Sequence, residues 1–182
     1  MIDTPTKLIV IVSIHFMILF TASSAFSTIV SKIHEYEGDN ILGPFRFAVN
    51  YFAFMIANLF VSKVKYSEKK QIVLSTLTYV FYFVTAFFIS GTPQYVKFIV
   101  VALGSIANGI GATFLWTSVG AYIHKICHKY GKENLKGHYY GLFNTIMSLS
   151  GIEGSVVITF GLSYFSNNIY FLIVTGVSCL SF

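Results

Sequence analysis

The stretch FIVVALGSIANGIGATFLWTSVGAYIH, residues 98–124, contains no Asp, Glu, Lys or Arg. A helix crossing a hydrocarbon core ~30 Å thick needs about 20 apolar residues, and this run exceeds that. Charge is likewise absent from residues 8–31, 47–62, 71–96, 137–152 and 154–182. Of the 182 residues, 55% are hydrophobic, 18% aromatic and only 10% charged. A soluble domain carries roughly 25% charged residues, so this chain has too little charge to cover a water-facing surface. That excludes both a soluble globule and a disordered tail. Lipid offers the backbone no hydrogen-bond partner, which leaves helices or closed barrels. Barrel strands would alternate over ~10-residue segments, and residues 76–89 show no alternation. The reading is an all-α integral membrane protein, a six-transmembrane-helix bundle forming one membrane domain over 1–182. Its helices are expected at about 7–31, 43–62, 71–90, 95–124, 139–161 and 168–182. Pro5, Pro44 and Pro93 all stand at segment edges, where a first helical turn tolerates them.

Lys and Arg orient such a bundle. Lys63, Lys65, Lys69 and Lys70 follow segment two, and Lys125, Lys129, Lys132 and Lys136 follow segment four. The loop between segments one and two holds Lys32 against Glu35, Glu37 and Asp39. With Lys7, nine of the twelve bases lie on one side, which the positive-inside rule assigns to the cytoplasm together with the N-terminus. The pI near 9.1 therefore reflects a lipid surface and not nucleic acid. Segment one is longer than a secretory signal core and is read as a retained helix. Cys127 and Cys179 suggest no disulfide framework. The last segment, Asn168–Phe182, reaches only ~22 Å as a helix at ~1.5 Å per residue, and the chain stops inside an apolar run. The expectation is a chain truncated in its sixth helix, a fragment of a longer protein.

Segment four carries Gly109-Ile110-Gly111-Ala112, then Leu115-Trp116-Thr117 and Gly120-Ala121-Tyr122. Segment five opens with Lys136-Gly137-His138-Tyr139-Tyr140-Gly141-Leu142-Phe143. With Leu42-Gly43 and Asn58-Leu59-Phe60, these stretches resemble the uncoordinated-93-like family, the ion channel regulatory branch of the major facilitator superfamily. The resemblance implies the N-terminal six-helix half of a twelve-helix fold. It also implies an accessory role, since members of that family modulate a potassium channel or escort membrane receptors. Transporters of the superfamily carry Gly-x-x-x-Asp-Arg-x-Gly-Arg-Arg/Lys between helices two and three. Residues Ser62–Lys70 are basic there but lack the Asp and the glycines, which argues against alternating access.

Six residues stand out as candidate intramembrane polar or packing positions: Glu153, Trp116, Asn108, Gly109, Gly111 and Gly141. Gly104, Asn108, Gly111 and Ala112 place small residues on one helical face of segment four, and close helix packing is the favoured reading. Segment five offers a matching stripe of Gly141, Thr145, Ser148, Ser155 and Thr159. Trp116 is read as a packed indole in preference to a gate. Glu153 is the acid well inside an apolar run, where an ionisable group is expensive and marks a functional hypothesis by default. A hydrogen-bonded structural acid is favoured over proton or cation coupling. Arg46 is expected to snorkel to the headgroups, and His15 to be a hydrogen-bonded core histidine. His124, Cys127 and His128 share a helical end but lack a firm fourth ligand, so no metal or cofactor is expected. Neither a phosphate-binding glycine loop nor a nucleophile elbow is present, and no enzyme is expected. The expected partners are the lipid bilayer and an ion channel or other membrane protein. A secondary active transporter of a small solute is the alternative function.

Overall fold

The structure, a computed structural model, describes residues 3–36, 41–64, 66–85, 88, 92–164 and 167–179. Among these are six α-helices: α1 Thr4–Tyr36, α2 Leu42–Asn58, α3 Glu68–Thr85, α4 Gln94–Lys129, α5 Lys136–Tyr164 and α6 Asn167–Cys179. Short 3-10 turns at Val61–Lys63 and Glu133–Leu135 precede α3 and α5. Among the described residues, three stretches are long and apolar enough to cross a membrane on length and composition alone: Thr4–Thr28, Gln94–Lys129 and Glu133–Phe160. The other helices are shorter, with 17 residues in α2, 18 in α3 and 13 in α6.

Local chemistry sets the helix ends. Asp3 caps α1 by accepting a hydrogen bond from the Thr6 backbone N–H at 3.2 Å. That bond holds the Asp3 carboxyl below its ordinary range. Pro93 precedes α4 with extended backbone (φ −58°, ψ 147°), and its ring leaves no N–H to satisfy. At the other end of α4, Gly131 takes φ +61°, a left-handed conformation that glycine adopts without a Cβ penalty. The Lys132 N–H then returns to the Cys127 carbonyl at 2.8 Å, and the Gly131 N–H to the His128 carbonyl at 3.2 Å. This paired closure is a Schellman motif, and it satisfies carbonyls that the helix end would otherwise leave open.

Helix α1 packs chiefly against α5, while α4 packs against both α3 and α2. Helix α6 touches α1 and α3, and the α1–α4 contact is slight. Exchanging α1, α2 and α3 with α4, α5 and α6 turns the α1–α5 contact into α4–α2. The same exchange turns α3–α4 into α6–α1. Contacts that recur under this exchange are what two inverted three-helix repeats would produce.

The core of the bundle is aromatic. Phe16 of α1 lies edge-on to Phe143 of α5 at 5.2 Å and to Trp116 of α4 at 6.0 Å. Nearby, Phe26 meets Tyr82 and Phe83 of α3 at 4.8 and 4.9 Å. Such tilted and edge-on pairs suit the ring quadrupole.

Candidate functional site

The polar side chains inside the bundle act as links between helices. In α4, Gly109 lies directly on α2. A Cβ there would meet the Asn50 carbonyl, with the Ala53 Cβ and the Phe54 nitrogen both 2.9 Å away. Beside this contact the Asn108 amide donates to Asn50 Oδ1 at 3.1 Å, and Thr113 Oγ1 donates to the Phe54 carbonyl at 3.0 Å. Gly111 faces the opposite way, onto Thr78 and the Ser75 carbonyl of α3. Gly104 also faces α3, with the Thr85 hydroxyl 2.6 Å from where its Cβ would stand. Lower on the α3 side, Ser118 donates to Gln71 Oε1 at 2.6 Å. Gly104 and Gly111 thus share the α3 face, while Gly109, outside the expected stripe, lies on the α2 face, to which Asn108 also bonds. At 100° per residue, Gly109 and Gly111 differ by about 200°, so one seats α2 and the other seats α3.

Glu153 lies at the corresponding crossing of α1 and α5. Thr21 Oγ1 donates to Glu153 Oε2 at 3.0 Å, and Thr21 itself is buried. One residue on, Gly154 brings the helices together, with Ser24 Cβ only 2.9 Å from a would-be Cβ. The three main crossings thus each pair a glycine contact with a polar side-chain link. On the α1–α3 side, His15 Nε2 lies 3.2 Å from Thr76 Oγ1.

The other candidates are placed differently. Gly141 has no atom within 4 Å of its would-be Cβ, and Thr145, Ser148, Ser155 and Thr159 are all exposed. The expected stripe of segment five does not meet segment four. The hydroxyls of Ser148, Ser155 and Thr159 instead donate to carbonyls four residues back. Helix α5 turns Tyr139, Phe143, Ser150 and Gly154 inward. Trp116 packs on Phe16 and Phe20 yet remains 37% exposed.

Arg46 departs from its expected place. It is 1% exposed, donates from Nη2 to the Ser27 carbonyl at 3.3 Å and lies 4.7 Å from the Phe47 ring centroid. The guanidinium is enclosed beside α1 instead of extending outward from the bundle as expected. Its position in a segment-edge sequence carried no sign of this, because burial depends on where α1 passes.

Near the second basic loop, His128 Nε2 is 3.7 Å from Glu133 Oε1, with both side chains exposed, while Cys127 is buried. Among the described residues no three His, Cys, Asp or Glu side chains converge as a metal site would require. On the same side, Lys125 Nζ bridges to Glu68 Oε2 at 3.0 Å. The sequence showed these charges but not their pairing across the α3–α4 boundary.

Comparison with known proteins agrees with this architecture. The chain is 28% identical over 169 residues to "Protein unc-93 homolog A" of Xenopus laevis, covering 87% of this chain and 35% of that protein. The corresponding proteins of Bos taurus and Homo sapiens are 25% and 26% identical, over 83% and 85% of this chain and 33% and 34% of theirs. The chain therefore spans about a third of the length of these curated relatives. No solved structure matches it. The six-helix bundle is half of a major-facilitator-type fold. With the family model of the Major Facilitator Superfamily matching residues 3–155, the chain belongs to that superfamily.

Proposed function

We propose that the protein is a non-enzymatic membrane accessory protein, acting by association with an ion channel or another membrane protein. The observation that carries this reading is the link between Thr21 and Glu153 at 3.0 Å. It engages the acid best placed for coupling in a helix-to-helix bond. Asn108, Ser118 and Thr113 are engaged in the same way. Further support comes from the α2–α3 connection, which is basic but lacks the Asp and glycines of the transporter motif. The similarity to proteins named unc-93 homolog A also supports this reading. In this reading the N-terminus and both basic connections face the cytoplasm.

Secondary transport of a small solute is the second reading. It is favoured by the superfamily itself and by Glu153, which is only partly buried. Two measurements on the full-length protein separate the readings. Co-purification with a channel, with altered channel current and no tracer uptake, supports the accessory role. Saturable uptake that depends on pH or a cation gradient overturns it.

A further inference from the structure

Two apolar grooves run along the outer face of α4, divided by a ridge of Ile110 and Phe114. The larger, of about 710 Å³, lies between α2 and α4 and is walled entirely by apolar side chains from Phe45 to Phe60 and from Ile106 to Phe114. The smaller, of about 240 Å³, lies between α3 and α4 over Leu74, Thr78 and Gly111. Thr78 and Gln71 on its wall are already engaged: Thr78 donates to the Ser75 carbonyl at 2.7 Å, Gln71 donates to the Tyr66 carbonyl and accepts from Ser118. Nothing in either groove asks for a polar ligand.

Both grooves end at one short segment. Phe60 closes the larger, while Val64 and Tyr66 close the smaller. Between these residues stands Lys63, exposed, with its Nζ 5.4 Å from the centroid of the Phe60 ring. Lys69 and Lys70 follow on the first turn of α3, also exposed. The α2 wall from Phe45 to Ala57 extends about 18 Å at ~1.5 Å per residue. One leaflet of a ~30 Å hydrocarbon core is about 15 Å deep, so the larger groove matches one acyl chain lying along the helix.

We infer that the Ile110–Phe114 ridge and Lys63 form a site for a phospholipid with two acyl chains and an anionic headgroup. One chain lies in the α2–α4 groove, the other enters the α3–α4 groove, and the phosphate sits against Lys63. The convergence of two apolar grooves on one cation is what selects this occupant. A sterol would fill a single groove and gain nothing from the lysines, and a partner helix has no second branch. Anionic lipids concentrate in the cytoplasmic leaflet, where exposed lysines attract them.

The test uses the full chain in phosphatidylcholine nanodiscs containing a trace of phosphatidylserine with a photoreactive acyl chain, and maps adducts by mass spectrometry. Adducts are expected on Ile106, Ile110 and Phe114, at least fivefold above those from a matched phosphatidylcholine probe. Lys63→Glu, at an exposed position, is expected to remove that preference. Ala48→Trp, which narrows the larger groove from its exposed rim, is expected to shift adducts to the α3 side. Equal labelling by the two probes overturns the proposal, as does labelling spread evenly over α5. Protection of these residues from both probes also overturns it, because a protein segment or a second copy then covers the face.

Discussion

Gly109→Ala is the most direct probe of how the bundle is held together. The added methyl would press on the Asn50 carbonyl and stand 2.9 Å from Ala53 Cβ and the Phe54 nitrogen. Two of these three neighbours are backbone atoms, so no rotamer change relieves the overlap and α2 itself must move. Overpacking of this kind costs roughly 1–3 kcal/mol. Displacing α2 also strains the Asn108–Asn50 and Thr113–Phe54 hydrogen bonds at the same crossing, worth about 0.6 kcal/mol each inside a bilayer. Against this stands the ~1 kcal/mol by which Ala exceeds Gly as a helix former. The net expectation is a loss of about 1–3 kcal/mol, with overpacking the dominant contribution. Titrating the protein from dodecylmaltoside into sodium dodecyl sulfate, with helix content followed by circular dichroism, measures it. Gly141→Ala is the control, since its methyl meets nothing within 4 Å and should leave stability unchanged or raise it by up to ~1 kcal/mol. Equal stability of Gly109→Ala and the parent would refute the close α2–α4 crossing.

Glu153→Gln keeps an acceptor for Thr21, so the full-length protein should retain its activity and pH response. Glu153→Leu leaves the buried Thr21 hydroxyl without that acceptor and should cost about 1 kcal/mol in the same titration. Loss of a pH-dependent activity in the Gln variant would overturn the structural role. The Glu68 carboxyl is held below its ordinary range by its own backbone N–H and by Lys125. Its contribution is therefore present above the unfolded carboxyl pKa and fades as pH falls through the lower folded value. At this surface site Glu68→Gln should cost no more than ~1 kcal/mol at neutral pH, and its difference from the parent should vanish in acid. For topology, a cysteine at Lys69 or Lys132 should be shielded from a membrane-impermeant reagent in sealed cells, while one at Glu37 should react. The reverse pattern would invert the orientation.

The existence of the helices was legible because charge-free runs are a direct imprint of the hydrocarbon. Their ends were less so. Apolarity marks where lipid begins, not where hydrogen bonding stops, and α1 and α4 continue past their apolar runs, to Tyr36 and Lys129. In the other direction α2 ends at Asn58, four residues before the expected boundary, and its apolar tail turns into the 3-10 segment Val61–Lys63. The expected ends of segments three and six, residues 86–90 and 180–182, lie partly or wholly outside the described residues. At the candidate site, small residues of segment four lie against both α2 and α3. Their division between α2 and α3 could not be read, because spacing gives angles on one helix and not the positions of its neighbours. Arg46 shows the same limit, since only the path of α1 explains its burial.

The pairing of α1 with α5 and of α2 with α4 has a consequence for biosynthesis. Helices α1, α2 and α3 meet one another at few points, chiefly Phe26 against Tyr82 and Phe83 and Arg46 on the Ser27 carbonyl, so the first half of the nascent chain enters the membrane without its main packing partners. Asn50 precedes Asn108 by 58 residues, and Thr21 precedes Glu153 by 132. At ~5–20 residues per second of translation, α2 waits roughly 3–12 s for its partner and α1 roughly 7–26 s. During that interval the seats for Gly109 and Gly154 stand open to any passing helix. Arrival of α4 draws in α2 and α3 together, and α1 gains its main partner only when α5 follows. A ribosome stalled between these two helices would hold an intermediate in which α1 still lacks its main partner, the species on which membrane chaperones would act.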